Sequence, residues 1–257
     1  TDQKLICLLK KCKGGKKMKF IKKLIAYTKK NGIKGLIKRV FHKQPKQDIF
    51  SFFEFITNDT IIPLNEEDLE KYRDQGLVLN WIIPEMGIGS GGHINIFRFV
   101  SYLEQHDIHN RVYLFNPPKL KDDNELVSFV RKYFSILDER VELYADANTA
   151  KFAHGTIATS WQTAYFVKNF NNTISKFYFV QDFEPYFYAK GSEYEFAKNT
   201  YRFGLRGITA GDWLKNVCEN EFGMKADSFG FSYDKELYHP IPKKDNVKRV
   251  FFYARPV

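Results

Sequence analysis

Apolar residues recur along this chain with two different periods. In the first part they keep helical spacing: Phe20, Ile21, Leu24 and Ile25, then Ile33, Leu36, Ile37, Val40 and Phe41, with lysines filling the other face. Asn31-Gly32 interrupts the run, so it reads as two short helices. Asn65, followed by Glu66 and Glu67, reads as the cap of a further short helix through Leu69 and Tyr72. From there the pattern changes. Residues 77–83 form a near-continuous apolar run bounded by Gly76 and Pro84, as in a strand buried on both faces.

Segments of alternating type follow. Helices are expected at 93–105, 124–134, from 161 through 165, at 186–200 and at 212–222. Between them, strands are expected at 111–115, 141–144, 157–160, 176–180, 207–209, 227–231 and 249–253. Gly223 stands where a C-cap glycine belongs. Strands alternating with helices predict an α/β fold with a Rossmann-like parallel sheet covered on both faces. The expected division is a basic helical N-terminal arm and connector over 1–76, a Rossmann-like domain over 77–248, and a strand opening another domain over 249–257.

Charge separates the arm from the body. The whole chain of 257 residues carries +10, yet positions 3–47 hold 16 Lys or Arg and no Asp or Glu. The residues after 47 carry 24 Lys or Arg against 29 Asp or Glu, a net charge of −5. A nucleic-acid-binding globule would wear its positive charge on the folded body, so no nucleic-acid partner is expected. The basic amphipathic stretch suits either an anionic membrane surface, through residues 4–46, or packing on the body with a solvated lysine face. Three cysteines (Cys7, Cys12, Cys218) provide neither a disulfide framework nor a metal set, which points to a reducing, cytoplasmic setting. No 18-residue apolar run crosses a membrane as a helix.

Two segments carry candidate chemistry. In Pro84-Glu85-Met86-Gly87-Ile88-Gly89-Ser90-Gly91-Gly92-His93, glycines between a strand and a helix let backbone approach a ligand. The helix start offers free N–H donors to phosphate or hydroxyl oxygens. Gly87, Gly89 and Gly92 also fit the dinucleotide fingerprint, which keeps an NAD-dependent oxidoreductase open. Against it, the turn is long, and the strand at 111–115 ends in Asn116-Pro117-Pro118 instead of a ribose-binding acid.

The second segment, Gln181-Asp182-Phe183-Glu184-Pro185-Tyr186-Phe187-Tyr188, follows a strand end, where α/β sheets place ligands. Asp182 could accept a proton from an attacking hydroxyl. Glu184 could bind sugar hydroxyls, or both acids could cap the next helix. Trp161, after another strand, lines the cleft or belongs to the core. His154 and His239 have no partner at ligand spacing and read as structural.

On these two segments, with Ile96-Phe97-Arg98 and the closing Phe252-Tyr253-Ala254-Arg255-Pro256, the chain resembles the N-terminal domain of family 4 glycosyltransferases. Within that family it is most similar to the rhamnosyltransferases of bacterial surface-polysaccharide and S-layer glycan assembly. The resemblance runs from about residue 77 to 257. It implies a GT-B arrangement of two facing Rossmann-like domains, retention of anomeric configuration, and no metal or other cofactor. The N-terminal domain would hold the sugar or glycan acceptor, and the C-terminal one the nucleotide-sugar, dTDP-rhamnose in the nearest relatives. Gly89, Ser90, Gly91, Gly92 and His93 would then face the donor's sugar and phosphates. Arg255 would meet the diphosphate, whose neutralisation is the main catalytic task when no metal is present. With no donor domain after Val257, the chain alone is expected to be catalytically incomplete: a fragment, a split subunit or a degenerate copy. A non-enzymatic docking module is the remaining alternative.

Overall fold

The computed structural model describes residues 53–230 apart from 74, 118 and 121, and beyond them 233, 235, 238–240, 242, 247–250 and 252. The expected helices of the basic arm, the end of the strand at 227–231, most of the strand at 249–253, and Arg255 lie outside the described residues. Of that last strand, Arg249, Val250 and Phe252 are described and take no strand conformation. The chain divides into two compact units, Thr1–Thr57 and Asn58–Val257. In the first, the described element is the short helix α1 (Glu54–Thr57).

The second unit holds α2 (Glu66–Tyr72), β1 (Val78–Pro84), α3 (Gly91–Glu104), β2 (His109–Phe115), α4 (Asp123–Tyr133), β3 (Glu142–Tyr144) and β4 (Ala153–Ala158). It continues through α5 (Trp161–Asn169), β5 (Thr173–Val180), α6 (Ser192–Thr200), β6 (Arg206–Ala210), α7 (Asp212–Phe222) and β7 (Ala226–Phe229). Local signals set several ends. The Asn65 side chain accepts from the Glu67 and Asp68 amides and starts α2. Ser160 and Thr163 form a reciprocal capping box at α5. Gly223 closes α7 in the left-handed region at φ 69°.

All seven strands are parallel, in the order β3-β2-β1-β4-β5-β6-β7. This is a doubly wound, Rossmann-like sheet. Successive residues of a strand serve opposite faces. Trp81 and Ile83 of β1 pack with Phe97 of α3 and Leu126 and Val130 of α4. Between them, Ile82 packs with Ala164 and Val167 of α5, Tyr201, and Leu214 and Cys218 of α7. Right-handed crossovers put helices on opposite faces once the strand order reverses. The reversal falls between β1 and β4, so a crevice opens beyond their C-terminal ends, at the loops leading into α3 and α5.

One long helix departs from the sequence reading. Instead of a helix over 186–200 the chain forms a 3₁₀ turn (Glu184–Phe187) and then α6, with Tyr188 in extended conformation between them. Pro185 opens that turn, and Gly191 stands immediately before α6. The strands β2, β4 and β5 begin two to four residues earlier than their apolar cores suggest. Their first residues, among them His109, Asn110, His154, Thr173 and Ser175, interrupt the apolar pattern but belong to the ladder, which hydrophobic periodicity does not register.

Candidate functional site

The glycine-rich loop occupies the crevice at the end of β1. Gly89 takes φ +75°, a conformation that a side chain would strain. The Gly87 carbonyl accepts from the Ser90 amide and closes the turn. Gly87, Ile88 and Gly89 are exposed, as are Gly91 and Gly92 in the first turn of α3. The first three amides of α3 belong to Gly91, Gly92 and His93, whereas the next, Ile94, already donates to the Ser90 carbonyl. These are the free donors of a helix N-terminus, with the positive end of the dipole behind them.

His93 is a structural hinge of this loop. It is buried, and its Nε2 lies 3.1 Å from the Pro84 carbonyl, which can only accept. Nε2 therefore carries the proton, and Nδ1 accepts from the Ser90 hydroxyl at 2.7 Å. Burial pushes the imidazole below its ordinary pKa, while the bond to Pro84 opposes that shift. A neutral ring thus fixes Ser90 and ties the loop back to its strand.

The segment after β5 comes into the same crevice. The Asn95 side chain in α3 donates to the Gln181 side-chain carbonyl at 3.0 Å. A Cβ on Gly92 would lie 3.4 Å from Gln181 Nε2. Packing explains the approach: Phe99, one turn further along α3, stacks edge-on against Phe179 of β5 at 5.0 Å and Phe229 of β7 at 4.7 Å. The Phe99 ring thus ties the helix to β5 and β7.

Asp182 is exposed, and its Oδ1 accepts from the Phe183 amide at 2.7 Å. That bond leaves Oδ2 with no partner among the described residues. Glu184, two positions on, is buried and has a different role. One carboxyl oxygen accepts from the Trp161 amide at 2.9 Å, and the other meets the Tyr178 hydroxyl at 2.6 Å. Desolvation raises its pKa to about 7, against the opposing bonds from Tyr178 and Trp161, and nearby Asp182 pushes the same way as burial. Burial also holds the Tyr178 hydroxyl well above its ordinary range.

Trp161 is 2% exposed, with its indole N–H donating to the Tyr188 hydroxyl at 2.9 Å. It therefore acts from the core, linking α5 to the turn after β5. His154 bridges β1 and α2, accepting from the Val78 amide and donating to the Tyr72 carbonyl. Sequence reading missed Asn95 and Gln181 as partners, since no local pattern links positions 86 residues apart. Among the described residues, no group of three or more His, Cys, Asp or Glu comes together to hold a metal ion. No helix of the described residues is long and apolar enough to cross a membrane.

Residues 126–210 match the family model of the WsaF N-terminal domain. That range takes in β5, Trp161 and the whole segment from Gln181 to Tyr188. Over 180 residues, 68% of this chain, there is 28% identity to the O-antigen biosynthesis protein RfbC of Myxococcus xanthus. The chain spans 14% of that relative's length. Among solved structures, an FMN-dependent Ubix-like decarboxylase from Escherichia coli O157:H7 overlaps 58% of this chain and 78% of its own. Its TM-score of 0.24 and identity of 11% carry no argument.

Proposed function

We propose that this chain is the acceptor-side half of a nucleotide-sugar-dependent glycosyltransferase of surface-polysaccharide assembly. The observation that carries the reading is the meeting of two segments at the switch of the sheet. The free amides of Gly91, Gly92 and His93 open the helix that Gly92 and Asn95 bring up to Gln181, and the exposed Asp182 is the next residue along the chain. The first group suits phosphate or sugar oxygens, and the second suits a hydroxyl acceptor. The matches to WsaF and RfbC support the same chemistry.

In this reading a second, donor-binding domain faces the crevice and holds the nucleotide-sugar, with dTDP-rhamnose as donor. Arg255 contributes to the diphosphate site, and anomeric configuration is retained. Asp182 accepts the proton of the attacking hydroxyl. Glu184 and Trp161 do not reach the substrate from the core; they fix the turn that presents Asp182. Residues 4–46 dock the protein on the anionic inner face of the membrane. The end of β2 favours a sugar donor over NAD, because Asn116 follows Phe115 where a ribose-binding acid would stand.

The test is nucleoside diphosphate release by the full-length gene product, given dTDP-rhamnose or UDP- and GDP-hexoses together with surface-polysaccharide acceptors. Rhamnosyl transfer is the expected result. Absence of turnover with every donor, combined with saturable NAD binding, would overturn the proposal.

A further inference from the structure

Two loops beside Asp182 expose aromatic rings that the reading above leaves unused. Tyr186, in the 3₁₀ turn after β5, is 70% exposed, and its neighbour Phe187 is 57% exposed. Trp213, in the first turn of α7 after β6, is also 57% exposed. Tyr186 and Trp213 both pack edge-on against the same buried ring, Phe183, at 4.7 and 6.5 Å. Their separation therefore cannot exceed the sum of those two distances. Phe183 is itself stacked on Tyr201 at 5.5 Å, so the two outer rings rest on a rigid base.

We infer that Tyr186 and Trp213, with Phe187 beside them, form a stacking platform for the sugar rings of the acceptor glycan, an inference that rests on the glycosyltransferase reading. Large apolar groups kept in water at the ligand end of a sheet mark an interaction surface. Flat rings present apolar area to the C–H faces of pyranoses, while the Tyr hydroxyl and Trp N–H remain available to their hydroxyls. Charge decides between a sugar and a nucleotide. The exposed carboxylate of Asp212 immediately precedes Trp213 in the chain and is fixed by the Ser228 hydroxyl. A carboxylate next to the rings disfavours phosphate stacked on them but accepts hydrogen bonds from neutral hexose hydroxyls.

Tryptophan fluorescence isolates this surface. Of the 3 tryptophans, Trp81 and Trp161 are each 2% exposed, so iodide quenching reports on Trp213. Rhamnose, mannose and glucose trisaccharides are titrated against the chain, with dTDP as the nucleotide arm. At least one trisaccharide is expected to remove the quenching saturably, and Tyr186→Ala is expected to lose that protection while its thermal melt is retained. No protection by any trisaccharide, protection only by dTDP, or protection unchanged in Tyr186→Ala overturns the platform. Transfer by the full-length gene product is measured separately. Transfer without Trp213 protection removes the platform alone, whereas protection without transfer keeps it and removes the glycosyltransferase reading.

Discussion

The side-chain amide of Asn95 donates to the side-chain carbonyl of Gln181 at 3.0 Å, joining the helix behind the glycine loop to the end of β5. The bond spans the top of β4, which lies between the two strands involved. Replacing either partner by Ala is expected to cost about 1 kcal/mol. The double variant should cost less than the two single changes together. Urea unfolding of the four proteins measures that coupling; full additivity would mean the bond holds nothing together.

Gly91 separates ligand approach from folding. A Cβ there meets nothing within 4 Å, and the position lies in the exposed first turn of α3. Gly91→Val is therefore expected to leave the melting temperature nearly unchanged while abolishing rhamnosyl transfer in the full-length protein. Wild-type turnover in this variant would take the first turn of α3 out of the site.

Asp182 is exposed, so its removal acts on chemistry more than on stability. Asp182→Ala is expected to lower kcat by about 10² to 10⁴-fold, the usual contribution of a positioned general base. Steady-state kinetics with saturating donor checks this, and a change confined to KM would make Asp182 a binding group.

Glu184 gives a pH signature. Its folded pKa of about 7 lies above the ordinary carboxyl value of 4.5. A raised folded pKa stabilises fully below the unfolded value and is lost as pH rises through the folded one. Stability should therefore fall between about pH 4.5 and 7, by on the order of 3 kcal/mol from this group alone. Glu184→Gln should flatten that part of the curve: its amide oxygen can still accept from Trp161, and its NH₂ can donate to the Tyr178 hydroxyl oxygen. Chemical denaturation across this pH range, with and without the substitution, shows the difference.

The arm is tested by deletion. Removing residues 1–47 takes away 16 Lys or Arg. Sedimentation with phosphatidylglycerol vesicles at low salt is expected to fall to the level seen with neutral phosphatidylcholine vesicles. Unchanged sedimentation would leave the arm with a purely structural part.

How far the sequence reached depends on the range of the interactions involved. The apolar run of β1, the Asn65 cap and the Gly223 stop are written in neighbouring residues, because strand burial and helix capping act within a few positions. Alternation of strands and helices likewise determines the Rossmann-like class, and the glycine loop was legible because its chemistry needs consecutive residues. The different environments of Asp182 and Glu184 were not legible. The two stand two residues apart with the same functional group, yet one faces water and the other lies beneath Trp161 and Tyr178. Strand order, the contact of Phe99 with Phe179 and the shared Phe183 base of Tyr186 and Trp213 are also properties of the packed sheet alone. They depend on contacts between positions tens of residues apart, and the free energy of such contacts exists only once both surfaces have left water.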